Sequence, residues 1–151
     1  MSVTRQRAFA ARPESIKQVR DFTAGVLEQW GLEGRAEDIR LCASELATNA
    51  LVHGTRSMSQ NFLVRLDADE GLVRLEVHDS QQQHPTMRRT ADVDPSGRGL
   101  ILVAAIADEW GVRDREPEGK VVWSCFKSVE EVAYAGDQDR QSAPLRTGGL
   151  A

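Results

Sequence analysis

Leu41-Cys42-Ala43-Ser44-Glu45-Leu46-Ala47-Thr48-Asn49-Ala50-Leu51-Val52-His53-Gly54 is the stretch from which the rest of the chain can be read. Its period is helical: Ile39, Cys42, Ala43, Leu46 and Ala50 fall on one apolar stripe. Glu45, Asn49 and His53 follow one another at single-turn spacing along the flank of that stripe. A carboxylate and a carboxamide at the edge of a core face are poorly hydrated and need partners. Asparagine is also a mediocre residue for a helix interior. The flank has two readings. In one, Asn49 offers a neutral oxygen to a hard cation such as Mg²⁺, and Glu45 orders water or accepts a proton. In the other it is ordinary solvated helix surface. Gly54, directly after the last periodic residue, is expected to end the helix.

Upstream, Pro13-Glu14-Ser15 opens an earlier helix. Ile16, Val19, Phe22, Val26, Leu27 and Trp30 give it an apolar face, and Gly31-Leu32-Glu33-Gly34 closes it. A short strand near Arg7 to Ala11 precedes it. Downstream, Phe62-Leu63-Val64-Arg65-Leu66 and Leu72-Val73-Arg74-Leu75-Glu76-Val77 read as strands joined by a hairpin loop over Asp67 to Gly71. After Asp79 periodicity is lost as far as Ser96. That is long for a connection inside a compact domain, and such loops tend to be functional. Gly97-Arg98-Gly99 breaks this loop, and Leu100 to Ala107 is expected to be a buried helix. Glu109 to Arg113 and Lys120 to Phe126 form a final hairpin. The order predicts an α+β two-layer sandwich, with about three helices on one face of a mixed, mostly antiparallel sheet. Residues 1–127 are expected to form the domain, and 128–151, polar and glycine-containing, a disordered tail.

The chain has 151 residues, 40% of them hydrophobic and 28% charged, which suits one globular domain with a real core. A net charge of −4 argues against a nucleic-acid partner, which normally meets a basic patch. A local anion site is not excluded. Cys42 and Cys125 lack metal-ligand spacing and sit in apolar segments, so buried free thiols in a reducing compartment are expected. No apolar run approaches the roughly 20 residues of a membrane span. Neither does the start of the chain carry the apolar core of a secretory signal, so the expected location is cytoplasmic.

Three further features can carry chemistry. Gly97-Arg98-Gly99-Leu100 at a helix start offers free N–H groups and close backbone approach to phosphate, although a lone Gly-x-Gly is weak by itself. Asp79, ending a strand before the long loop, can accept a hydrogen bond from the exocyclic amine of a purine, or can be one more exposed strand-end acid. Lys120, opening the last strand, can meet an anion or be a solvated edge residue. His53 reads as a helix-end dipole partner, and Trp110 and Trp123 as core or cross-strand residues.

Together and in this order these residues resemble the GHKL ATPase superfamily of gyrase B, heat-shock protein 90, histidine kinases and MutL. Within it the chain looks most like the small anti-sigma factor serine/threonine kinases. Glu45 to Gly54 matches that group's N-box. Val77-His78-Asp79-Ser80 matches the box of the adenine-binding acid, Gly97 to Leu100 the second glycine box, and Gly119-Lys120-Val121-Val122-Trp123 the closing strand. The similarity runs from about Phe9 to Lys127. It implies a Bergerat-type site for ATP and Mg²⁺. Asn49 would hold the metal, Glu45 would be general base or water-orienting carboxylate, and Asp79 would bond the adenine amine. Gly97, Arg98, Gly99 and Leu100 would shape the phosphate end beneath a lid of residues 81–96. It further implies an anti-anti-sigma (STAS-type) partner carrying the acceptor Ser or Thr, a surface for a sigma factor, and a homodimer. One departure stands out. The family pattern after the acid is x-Gly-x-Gly, whereas this chain has Asp79-Ser80-Gln81-Gln82-Gln83, which removes a close backbone approach to the base. A module that sequesters a partner without kinase activity, and a stand-alone ATPase, are the competing expectations.

Overall fold

In the computed structural model residues 2–54, 61–79, 95–114 and 119–128 are described. Their elements are β1 (Ser2–Ala10), α1 (Ser15–Trp30), α2 (Ala36–Asn49), β2 (Asn61–Asp69), β3 (Leu72–Asp79), α3 (Pro95–Ile106), β4 (Glu109–Asp114) and β5 (Lys120–Lys127). Five strands form one sheet in the order β1-β2-β3-β5-β4. Every pairing is antiparallel. The helices occupy one face, with α2 between α1 and α3. This is the α+β two-layer arrangement that the sequence predicts. Residues 80–94, which include His84 and nearly all of the expected lid, lie outside the described residues, as do 55–60 and the tail from 129.

Alternation along the strands decides which face meets the helices. On β2, Phe62, Val64, Leu66 and Ala68 are buried, and on β3 Val73, Leu75 and Val77. They meet Val19, Leu27, Ile39, Cys42, Leu46 and Ala50 from the helices. Fully burying such side chains contributes about 1.5–3 kcal/mol each. Both cysteines are free and buried, as expected. Burial pushes the Cys42 thiol up to about 12, with help from the nearby acids Asp38 and Glu45.

Several boundaries differ from the sequence reading. The β2–β3 loop shrinks to Glu70-Gly71, because Asp69 pairs with Leu72. Both turn residues take positive φ (44° and 82°), the form of hairpin turn whose twist matches the flanking strands. β1 is nine residues long rather than a short piece near Arg7, since the whole of it pairs along β2. Pro13 and Glu14 lie in the turn ahead of α1, whose first turn holds no acid. There Ser15 Oγ donates to the Ala10 carbonyl, tying the helix start to the end of β1.

Candidate functional site

α2 fixes the direction of the site. At its start Arg35 donates to the carbonyls of Ile106 and Lys127, at the ends of α3 and β5. A helix of 14 residues rises about 21 Å, so its far end is carried along the sheet toward the opposite strand ends. The opposite ends are those of Asp79 and Lys120, because β3 and β5 are antiparallel and Leu72 pairs with Lys127. The regular helix stops at Asn49, and Ala50–Gly54 continue it as a π-turn that packs against β3. Helical winding thus reaches Gly54, where the sequence places its end, but changes to the wider π form after Asn49. Single π-turns are frequent at functional sites.

Asn49 is only 6% exposed. Its Oδ1 is buried and has no hydrogen-bond partner. A buried carboxamide oxygen left so costs about 1–3 kcal/mol. The solvated reading of this flank therefore fails at Asn49. A neutral, dry oxygen donor is what a hard cation accompanied by phosphate and water would use, so Asn49 fits Mg²⁺. Ser124 Oγ, on the core side of β5, is likewise buried and unpartnered. Nothing in the structure gives it a task.

Glu45, one turn before Asn49, meets α3. A Cβ built on Gly99 would stand 2.8 Å from Glu45 Oε1, so glycine is what allows this helix–helix approach. Gly97, Arg98 and Gly99 lie within the first turns of α3 and not ahead of it, because the helix begins at Pro95. Leu100 is buried in the core, which leaves it a packing role among the described residues.

Asp79 is 2% exposed and Lys120 3%. The two face each other across β3 and β5 on the core side. Lys120 Nζ lies 3.1 Å from Asp79 Oδ1 and 2.9 Å from Oδ2. Both bland readings, the exposed strand-end acid and the solvated edge lysine, are corrected by this burial. The pairing was visible only as a charged residue at each end of two apolar strands. Sequence reasoning missed it because register between strands separated by α3 and β4 has no local signal.

Among the described residues no group of acids, cysteines and histidines is arranged to hold a metal by itself. Asn49 would have to act on an ion that brings other oxygens with it, as Mg²⁺ commonly does. No described helix is long and apolar enough to cross a membrane.

The model of the "Histidine kinase-like ATPase domain" family matches residues 9–126. The chain belongs to the histidine kinase-like ATPase family. Its domain is therefore of the ATP-binding, kinase-like ATPase type. A similar solved structure is the histidine kinase domain from the blue-light activated histidine kinase of Erythrobacter litoralis EL346. It is 25% identical, with a TM-score of 0.46 over 64% of this chain and 46% of that one. The chain thus spans less than half of that kinase domain. No curated protein matches it significantly.

Proposed function

We propose that this ATPase-type domain is an anti-sigma regulator with serine/threonine kinase activity. It would bind Mg-ATP between the end of α2, the end of β3 and the start of α3. From there it would phosphorylate an anti-anti-sigma partner, and a second surface would hold the sigma factor. The observation that carries the site is the buried, unpartnered Oδ1 of Asn49. The finer assignment to the anti-sigma branch rests on the resemblance of the stretch Glu45 to Gly54 to that group's N-box.

In this reading each side chain has a separate task. Asn49 Oδ1 supplies one neutral oxygen to the metal. Glu45, whose carboxylate lies against Gly99, would receive the proton of the attacking Ser or Thr hydroxyl. Asp79 accepts the hydrogen bond of the adenine amine. Gly97, in the first turn of α3, would leave the positive end of that helix open to phosphate, while Gly99 makes room for Glu45. Bound Mg²⁺ would supply neutralisation of the developing phosphate charge, and the remaining requirement is positioning.

A second reading is a partner-sequestering module without kinase activity. The glutamines that replace the glycines after Asp79 favour it, since they remove backbone approach to a base. Calorimetric titration with Mg-ATP separates the two. The kinase reading expects binding by wild type and its loss, by tenfold or more on the scale of a charged hydrogen bond, in Asn49→Ala and Asp79→Ala. It also expects the partner's mass to rise by one phosphate on incubation with Mg-ATP. Partner capture without nucleotide heat favours the module. Binding without transfer to any anti-anti-sigma protein removes the kinase claim.

A further inference from the structure

We propose that Lys120 is the positioning residue that sets Asp79 to read the exocyclic amine of the purine, so that the preference for an amino-purine depends on a lysine that itself sits behind the acid. The proposal rests on the nucleotide reading above and deepens it.

The argument starts from cost. Lys120 and Asp79 are both almost wholly buried, and removing two charges from water is expensive. Further along the core face of β3 and β5 Val77 faces Val122 and Leu75 faces Ser124, so the charges are confined to the strand ends, where Asp114 of β4 also stands opposite Lys120. An apolar pair of similar volume at these positions would stabilise the fold at least as well. The ion pair is thus a poor structural device, and a use for the carboxylate is the better explanation.

Geometry supplies that use. The ammonium reaches both oxygens, at 3.1 and 2.9 Å, and so fixes the rotation of the carboxylate group. Each ionised carboxylate oxygen has two acceptor sites, of which a lysine N–H takes one. The contact with Lys120 therefore does not by itself exhaust the acceptor sites of Asp79. In an ion pair with lysine a carboxylate offers acceptor sites and no donor. A ring position carrying an amine is bound; one carrying only hydrogen, or an acceptor atom, leaves Asp79 with nothing to accept. Lys120 need not touch the nucleotide to do this. It acts through the orientation of the Asp79 carboxylate.

The test compares ATP with purine riboside triphosphate, the same molecule without the 6-amino group, on the full chain with Mg²⁺ present. Dissociation constants are measured for wild type, Lys120→Met, Lys120→Arg and Lys120→Gln, each checked for folding by thermal melting. Wild type should prefer ATP by about tenfold or more, the scale of one hydrogen bond to a charged group. In Lys120→Met that preference should collapse toward one, while affinity for the purine analogue changes by less than about twofold, and Lys120→Arg should restore much of it. Should the methionine variant fail to fold, Lys120→Gln keeps one N–H donor for Asp79 without the charge, and its preference should fall below that of wild type. An equal loss of affinity for both triphosphates in the methionine variant would mean a purely structural lysine and overturn the proposal. So would an unchanged preference in either the methionine or the glutamine variant. Wild type that binds both triphosphates equally well overturns this inference alone and leaves the nucleotide reading standing. Wild type that binds neither overturns both.

Discussion

On the proposed function, Asn49 and Gly99 are positions where stability and function are set against each other. The orphaned Oδ1 of Asn49 is a cost carried by the folded state. Asn49→Ala should therefore melt within about 1 kcal/mol of wild type, at or above it, while Mg-dependent ATP binding is lost. Differential scanning calorimetry beside the nucleotide titration checks this. A drop of several kcal/mol would instead make Asn49 a structural group. Gly99 gives the complementary case. In a helix interior, alanine is favoured over glycine by about 0.5–1 kcal/mol. The atom that an added Cβ would strike is the flexible tip of Glu45, at 2.8 Å. Gly99→Ala should keep or raise the melting temperature and displace Glu45. If Glu45 is the general base, as proposed, phosphoryl transfer is then expected to fall by about tenfold or more with little change in ATP affinity. Both residues were legible in the sequence as types, an amide on a helix flank and a glycine at a helix start. That Asn49 is dry and that Gly99 abuts Glu45 follow from how α2 packs on α3, which no local pattern encodes.

At the scale of elements, one side chain joins three of them. Arg35 donates from Nε to Asp38, from Nη1 to Asp108 and the Lys127 carbonyl, and from Nη2 to the Ile106 carbonyl, all within 3.2 Å. Its guanidinium also lies 5.4 Å above the Phe126 ring. It thereby ties the start of α2 to the end of α3 and the end of β5. Asp108 closes the knot by accepting the Lys127 N–H at 2.7 Å, and that hydrogen bond, with Arg35, holds its carboxyl below the usual range. Arg35→Met should cost about 2–3 kcal/mol in urea unfolding, and Arg35→Lys nearly as much, because an ammonium is a point charge without the planar fork. A lysine variant as stable as wild type would show that charge alone suffices. The sequence offered no sign of this knot. Element types were readable because period, turn residues and apolar runs are local properties: the helical stripe of α2, the alternation on β3, the alanines of α3. Boundaries were less so, since the full length of β1 depends on its pairing with β2. The change from α to π winding after Asn49, where the chain meets β3, likewise has no local signal.

For the molecule as a whole, the two faces of the sheet are stabilised by different physics. The inner face is covered by helices and filled with apolar side chains. On the outer face the strand alternation brings Arg65, Arg74, Glu76, His78, Arg113, Trp123 and Cys125 together by register. Glu76 is at its centre. Its carboxylate takes His78 Nε2 at 2.8 Å and Arg74 Nε at 2.7 Å, with Arg113 at 3.8 Å. The Arg74 guanidinium also lies 4.5 Å above the Trp123 ring, which covers Gly111 so closely that a Cβ there would strike it. The hydrogen bond from His78, followed by that from Arg74, outweighs burial and holds the Glu76 carboxyl down at about 2, from an ordinary 4.5. The depressed value means that the folded state binds the proton less readily than the unfolded chain does. The contribution of Glu76 is therefore complete above about pH 4.5 and is lost as pH falls toward about 2, with an upper limit of about 3 kcal/mol. Urea unfolding of wild type should lose stability across that window. Glu76→Gln should be less stable than wild type at pH 7, and the gap should narrow steadily as the pH is lowered through 4.5 toward 2. Because the cluster lies on the sheet face opposite the helices, the same substitution should leave ATP affinity at pH 7 unchanged within about twofold, a difference of less than about 0.5 kcal/mol. A gap that stays constant with pH would mean that Glu76 contributes by packing and not by charge, and a loss of ATP affinity would mean that the two faces of the sheet are coupled.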